Sequence, residues 1–160
     1  MRTKVTTIAI AVVILVTSLV GCSSIPSRDE QFYYGDIYFG MSQTAVYEIA
    51  TGTLYDKDDT ILTYKTTDTP YVSGEHQTMY SFKGGELATI AVWYEHDGSK
   101  DSFIKELRTA LSNDYGTYTE GVDNYDDSTY YEWKTNLVKI KLMYDDVTER
   151  AVVYYFRIVF

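Results

Sequence analysis

From residue 60 onward the chain reads as short β-rich runs, and only two stretches place apolar residues at helical spacing. The clearest strand pattern is Val138, Ile140, Leu142 and Tyr144 alternating with Lys139, Lys141 and Met143. That period of two gives one dry face and one wet face. Residues 137–144 are therefore expected as a strand, together with 60–66, 79–82, 87–94, 129–133 and 151–160. The last of these is apolar on both sides apart from Arg157, which places it inside a sheet. Lys83-Gly84-Gly85-Glu86 separates two of the runs, and Gly-Gly between β-formers signals a hairpin.

The first helical stretch opens at Met41-Ser42. Ser42 suits an N-cap, Ala45, Val46, Ile49 and Ala50 recur at helical spacing, and Gly52 stops the helix. The second runs from about residue 102 to 113. Phe103, Ile104, Leu107, Ala110 and Leu111 form its apolar stripe, with Lys105, Glu106 and Arg108 on the opposite side. Residues 115–128 are polar and acidic, contain Gly116 and Gly121, and are expected mainly as loop.

The two halves look alike. Tyr80-Ser81-Phe82-Lys83 matches Tyr131-Glu132-Trp133-Lys134, and Leu87, Ile90, Val92 and Tyr94 match Leu137, Ile140, Leu142 and Tyr144. The fold class expected is α+β: an antiparallel sheet with two helices packed on one face. It reads as a tandem repeat of helix plus β-hairpin units over 36–98 and 99–160, within one domain spanning 32–160.

The N-terminus carries a different message. Arg2 and Lys4 precede an apolar run from Ile8 to Val20, which ends at Gly21 and at Cys22, the one cysteine in the sequence. A charged start, a short apolar core and a small residue at the end describe an export signal over 1–21. The run is shorter than the ~20 apolar residues of a spanning helix. Leu19-Val20-Gly21-Cys22 resembles the lipobox of bacterial lipoproteins. The resemblance implies cleavage between Gly21 and Cys22 and lipidation of Cys22 with two or three acyl chains, palmitate among the probes for them. Each buried CH₂ contributes roughly 0.8 kcal/mol, so several chains make a lasting membrane anchor. Ser23 is not the aspartate that retains such lipoproteins in an inner membrane, so the outer membrane is implied where a host has two. Residues 22–31 are small, polar and charged and are expected as a flexible tether.

A second resemblance covers about residues 36–145. Phe39-Gly40-Met41-Ser42, the helix after it and the Tyr80-x-Phe82-x-x-Gly85-x-Leu87 hairpin are similar to small lipoproteins with the β-lactamase-inhibitor-protein-like fold. That group includes the small lipoprotein of the outer-membrane assembly machinery. The resemblance implies helices paired with an antiparallel sheet and a role in binding other proteins. It transfers no contact residue.

Composition narrows the function. The formal net charge is −9, all 23 acidic residues lie beyond the signal, and Arg2 and Lys4 would leave with it. So acidic a surface repels nucleic acid and anionic headgroups, and nucleic-acid binding is set aside. Seventeen tyrosines follow residue 31. Tyr suits pleated, half-buried surfaces and interfaces alike.

Chemistry for catalysis is sparse. Glu75-His76 and Glu95-His96-Asp97 hold the two histidines. Extending the Phe82–Leu87 pairing places His76 opposite Trp93, a gap of about 10 Å to His96 at ~3.3 Å per residue. No metal is expected, and both histidines are read as exposed loop residues. Asp56, Asp58 and Asp59 form one acidic cluster, and Asp123, Asp126 and Asp127 another. Neither supplies the glycine and terminal glutamate of a calcium loop. They are read as solvated loops, with weak calcium binding as the alternative. No Gly-x-Ser-x-Gly or phosphate-cradling loop occurs. With no thiol after lipidation and no base in a persuasive setting, an enzyme is not expected, and no cofactor.

The expectation is a non-catalytic, lipid-anchored envelope module that binds another envelope or external protein or serves structurally. The alternative is an inhibitor-like protective module acting on an external enzyme. Trp93, Tyr94, Tyr125 and Tyr130 are the candidate contact residues, with Asp123 and Asp126 at the rim.

Overall fold

The computed structural model describes residues 30–67, 71–72, 74–124 and 127–158. Gly21 and Cys22, with the rest of the signal and residues 23–29 of the tether, lie outside the described residues. Among the described residues no helix is long and apolar enough to cross a membrane.

A small hairpin comes first, β1 (Tyr33–Tyr34) with β2 (Ile37–Tyr38). Then follow α1 (Gln43–Ile49), β3 (Thr53–Lys57), β4 (Ile61–Thr66), β5 (His76–Lys83) and β6 (Glu86–Tyr94). After these come α2 (Lys100–Tyr115), β7 (Thr119–Val122), β8 (Thr129–Lys134), β9 (Val138–Asp145) and β10 (Arg150–Arg157). The eight longer strands form one antiparallel sheet in the order β3-β4-β5-β6-β10-β9-β8-β7. The fold is α+β, and mostly β. As its two-sided apolar pattern predicts, β10 lies inside the sheet between β6 and β9.

Local chemistry sets the elements. The Ser42 hydroxyl accepts the Ala45 N–H at 3.2 Å and caps α1. Gly84 and Gly85 both take positive φ, 63° and 84°, which the two-residue hairpin between Lys83 and Glu86 requires. Two short backbone bonds, Gly40 N–H to Leu87 at 3.0 Å and Leu87 N–H to Met41 at 2.8 Å, tie the entry to α1 against this hairpin.

The apolar alternation builds the core from one sheet face. Leu62, Tyr80, Ile90, Val92, Val153, Tyr155, Ile140, Leu142 and Trp133 lie there, and Val46 of α1 and Leu107 and Leu111 of α2 join them. Trp133 donates its Nε1–H to Gly116 O at 3.2 Å and lies 3.3 Å from Ser112 Oγ, which holds β8 to the end of α2. Phe32 stacks between Phe39 (5.6 Å) and Tyr155 (5.4 Å) and is part of the core.

One expectation needs correction here, and two strands were not expected. The described residues of 115–128 are mainly loop, but β7 pairs with β8 within them and Gly121 leaves room for the Tyr130 ring opposite it. β3 was not foreseen either; all five of its residues are exposed, so it has no dry face to print a period of two. His76 is no exposed loop residue: it is 1 % exposed, within β5. A bulge at Ser81/Phe82 makes Ala88 an extra residue on β6, so His76 faces Tyr94 instead of Trp93. Its ring stacks on Tyr94 at 5.5 Å.

Candidate functional site: an aromatic and cationic sheet face

The second sheet face is half-exposed along β5 and β9, where buried and half-buried residues strictly alternate through most of each strand. Register across the strands lines its side chains into rows. One row runs Tyr130, Met143, Val152, Trp93, Gln77 and Lys65. The next runs Glu132, Lys141, Tyr154, Ala91, Met79 and Thr63. A third begins Lys134, Lys139, Phe156 and Thr89.

Cations on this face lie over rings. Lys141 Nζ sits 4.1 Å from the Tyr130 centroid, Lys139 5.1 Å from Phe156, and Lys65 4.8 Å from Tyr55. Each also meets a carboxylate: Lys141 with Asp123 at 2.8 Å, Lys139 with Glu132 at 3.8 Å, and Lys65 with Glu75 at 3.7 Å. Arg150 pairs with Glu95 in the same way. Exposed pairs of this kind contribute only ~0–1 kcal/mol, but they fix long side chains beside the rings. Tyr154 and Phe156 stack at 5.8 Å. A cavity of about 170 Å³ opens on the face between Tyr55, Gln77, Met79, Trp93 and Arg150.

The six candidate contact residues divide. Trp93 and Tyr130 share a row on this face, and Asp123 stands at its edge through Lys141. Tyr94 is corrected: it is 1 % exposed and points into the core, because strand neighbours face opposite ways. Tyr125 and Asp126 lie outside the described residues. Sequence reading missed Lys139, Lys141, Met143, Tyr154 and Phe156 as members of the face. Their signal was present in the wet positions of β9 and in every second residue of β10.

The other flagged groups are local. Asp58 accepts hydrogen bonds from Thr60 and Ile61, chiefly the Thr60 backbone N–H, and these hold its carboxyl below the usual carboxylate value. Thr148 does the same for Asp145, its hydroxyl first. His96 stacks on Phe103 at 4.8 Å and bonds the Tyr144 hydroxyl at 3.1 Å. Among the described residues no group of three or more His, Cys, Asp or Glu is placed to hold a metal.

Comparison with protein-family models, curated proteins and solved structures returns no match. The rows of this face combine rings, thioethers and paired charges, a composition that suits contact with another surface.

Proposed function

We propose that this protein is an envelope lipoprotein, anchored through lipid on Cys22, whose domain binds another protein and catalyses nothing. The row Tyr130–Met143–Val152–Trp93 carries the reading. It crosses the middle of the sheet, with Tyr130, Met143 and Trp93 half-exposed and Val152 buried among them. Aromatic and Met residues enrich interface cores, while charges gather at the rim, and here Lys141–Asp123 and Arg150–Glu95 stand beside the row. Val46, Leu107 and Leu111 all join the opposite face, which supports both helices covering that side and leaving this one open.

The strand order supports a tandem architecture. It is a palindrome of two four-strand meanders, β3-β4-β5-β6 and β10-β9-β8-β7, each preceded by one helix. The units then fall at 36–98 and 99–160, with β5 equivalent to β9 and β6 to β10. That correspondence differs from the hairpin alignment that sets Tyr80 against Tyr131.

The test has two arms. Cells fed radiolabelled palmitate should yield a labelled mature chain, and Cys22→Ala should abolish the label. A photo-crosslinking residue at position 93 or 130 should capture one common protein from intact envelopes, whereas the same residue at position 147, 93 % exposed in a loop, should not. An unlabelled chain sinks the anchor; identical yields at all three positions sink the docking face.

A further inference from the structure

A second cavity, about 440 Å³, opens on the side of the sheet opposite the candidate docking face, where Tyr80 lies. Half of its lining residues are tyrosine: Tyr33 and Tyr34 from the first hairpin, Tyr71 from the loop before β5, Tyr80 from β5 and Tyr115 from the end of α2. The volume is within the ~300–1,000 Å³ of small-ligand pockets, and a few polar groups among aromatic walls is their usual lining. Asp36 stands on its rim, and among the described residues no lysine or arginine lines it.

Three features make this space electrically negative. The π-faces of Tyr rings attract cations. Burial raises the titration of Tyr71 and Tyr115 first, and the nearby Asp114 charge adds to it. The sixteen-residue α2 ends at Tyr115, a wall residue, so its negative carbonyl end lies beside this space. Helices commonly balance that end with a basic residue, yet the last turn of α2 has none and carries Asp114 instead. Burial raises the titration of Tyr71, Tyr80 and Tyr115, so the walls stay neutral phenols at physiological pH. The Tyr71 hydroxyl bonds that of Tyr115 at 3.3 Å and holds two of the rings together.

We infer that this tyrosine cage is a binding site for a small organic cation whose charge is spread over alkyl groups, a quaternary ammonium. Aromatic walls attract cations and repel anions, and they favour a weakly hydrated cation most, because it loses little hydration and its alkyl shell is also buried apolar surface. Anions are refused by Asp36, Asp114 and the helix end together. The site stands independently of the protein-docking reading, since none of its residues belongs to the sheet face described above.

Isothermal titration of the full chain in a neutral sugar detergent tests the cage. Tetramethylammonium and choline should bind saturably, and the uncharged isostere 3,3-dimethylbutanol at least about tenfold more weakly. Asp114 is exposed, so Asp114→Asn should leave folding intact and weaken tetramethylammonium about threefold. Ile49→Lys, at an exposed position on the cavity wall, should supply a tethered cation and abolish binding. Choline should bind more tightly than phosphocholine, whose phosphate meets the carboxylates that refuse anions, and the reverse order contradicts the negative cage. Equal binding of the isostere, or no saturable binding by the unaltered chain, overturns it.

Discussion

Lys141 is shared between two partners on the same sheet face: its ammonium lies 4.1 Å above the Tyr130 ring and 2.8 Å from the Asp123 carboxylate. The arrangement pins Tyr130 in the row that continues to Trp93 three strands away. If that row is the centre of an interface, its rings contribute most of the affinity. Trp93→Thr and Tyr130→Thr keep a good strand residue at each site. Each should weaken the crosslinked partner by about 2 kcal/mol, roughly thirtyfold, with little change in thermal midpoint. Purified partner titrated against each variant checks it; affinities equal to the parent chain place the interface elsewhere.

Trp133 reaches the end of α2 from inside the sheet and is 0 % exposed. Trp133→Phe keeps most of the packing but strands the Gly116 carbonyl that its Nε1–H serves. The expected loss is about 2 kcal/mol, a fall of about 5 °C in midpoint. Ser112→Ala should cost less than about 1 kcal/mol, since Gly116 still accepts. Chemical denaturation of the two variants compares them, and a larger loss for Ser112→Ala contradicts the assignment.

How much of this was legible in the sequence follows from where burial leaves a period. β9 is dry on one side only, so Val138, Ile140 and Leu142 announced it. α2 was legible for the same reason, with Leu107 and Leu111 on one stripe. β3 sits at the sheet edge with both faces wet, and no alternation could reveal it. Residues 119–122 were hidden by Gly121, a weak strand former whose place is set by the Tyr130 ring. The candidate face was half legible: Trp93 and Tyr130 were singled out, but Tyr94 was assigned to the wrong side. A single extra residue, Ala88, displaced the register that sequence alone had drawn, and with it the environment of His76. The tyrosine cage could not be seen at all, because Tyr34, Tyr71 and Tyr115 meet only in three dimensions.

Gly52 follows α1 at φ 102°, and a Cβ there would fall 2.4 Å from the Lys65 carbonyl oxygen and 2.9 Å from the Thr66 Cβ. The obstruction is chiefly backbone of β4, which cannot retreat without breaking its pairing with β3. Gly52→Ala should therefore destabilise by about 2–4 kcal/mol, from strain at positive φ and from overpacking. Gly74→Ala is the comparison: its φ is also positive, 130°, but nothing lies within 4 Å. It should cost only the conformational part, about 1–2 kcal/mol. Urea unfolding midpoints decide, and equal losses would show that the contact with Lys65 carries no weight.

The buried tyrosines give the fold a limit in alkali. Burial raises the titration of Tyr71, Tyr80, Tyr115 and Tyr155 above the ordinary value of 10.0, Tyr155 most completely enclosed. In the unfolded chain these phenols ionise near pH ~10. Above that pH the unfolded state binds fewer protons than the folded state, so stability falls as pH rises. The contribution is fully present below pH ~10 and disappears on the way up through the raised folded values. Tyrosinate absorbance near 295 nm should then show a late, cooperative rise, coincident with loss of the β signal in far-ultraviolet circular dichroism. A smooth rise centred near pH ~10 with the dichroism unchanged would mean that these hydroxyls reach water in the folded chain, and the closed core around Tyr155 would have to be redrawn.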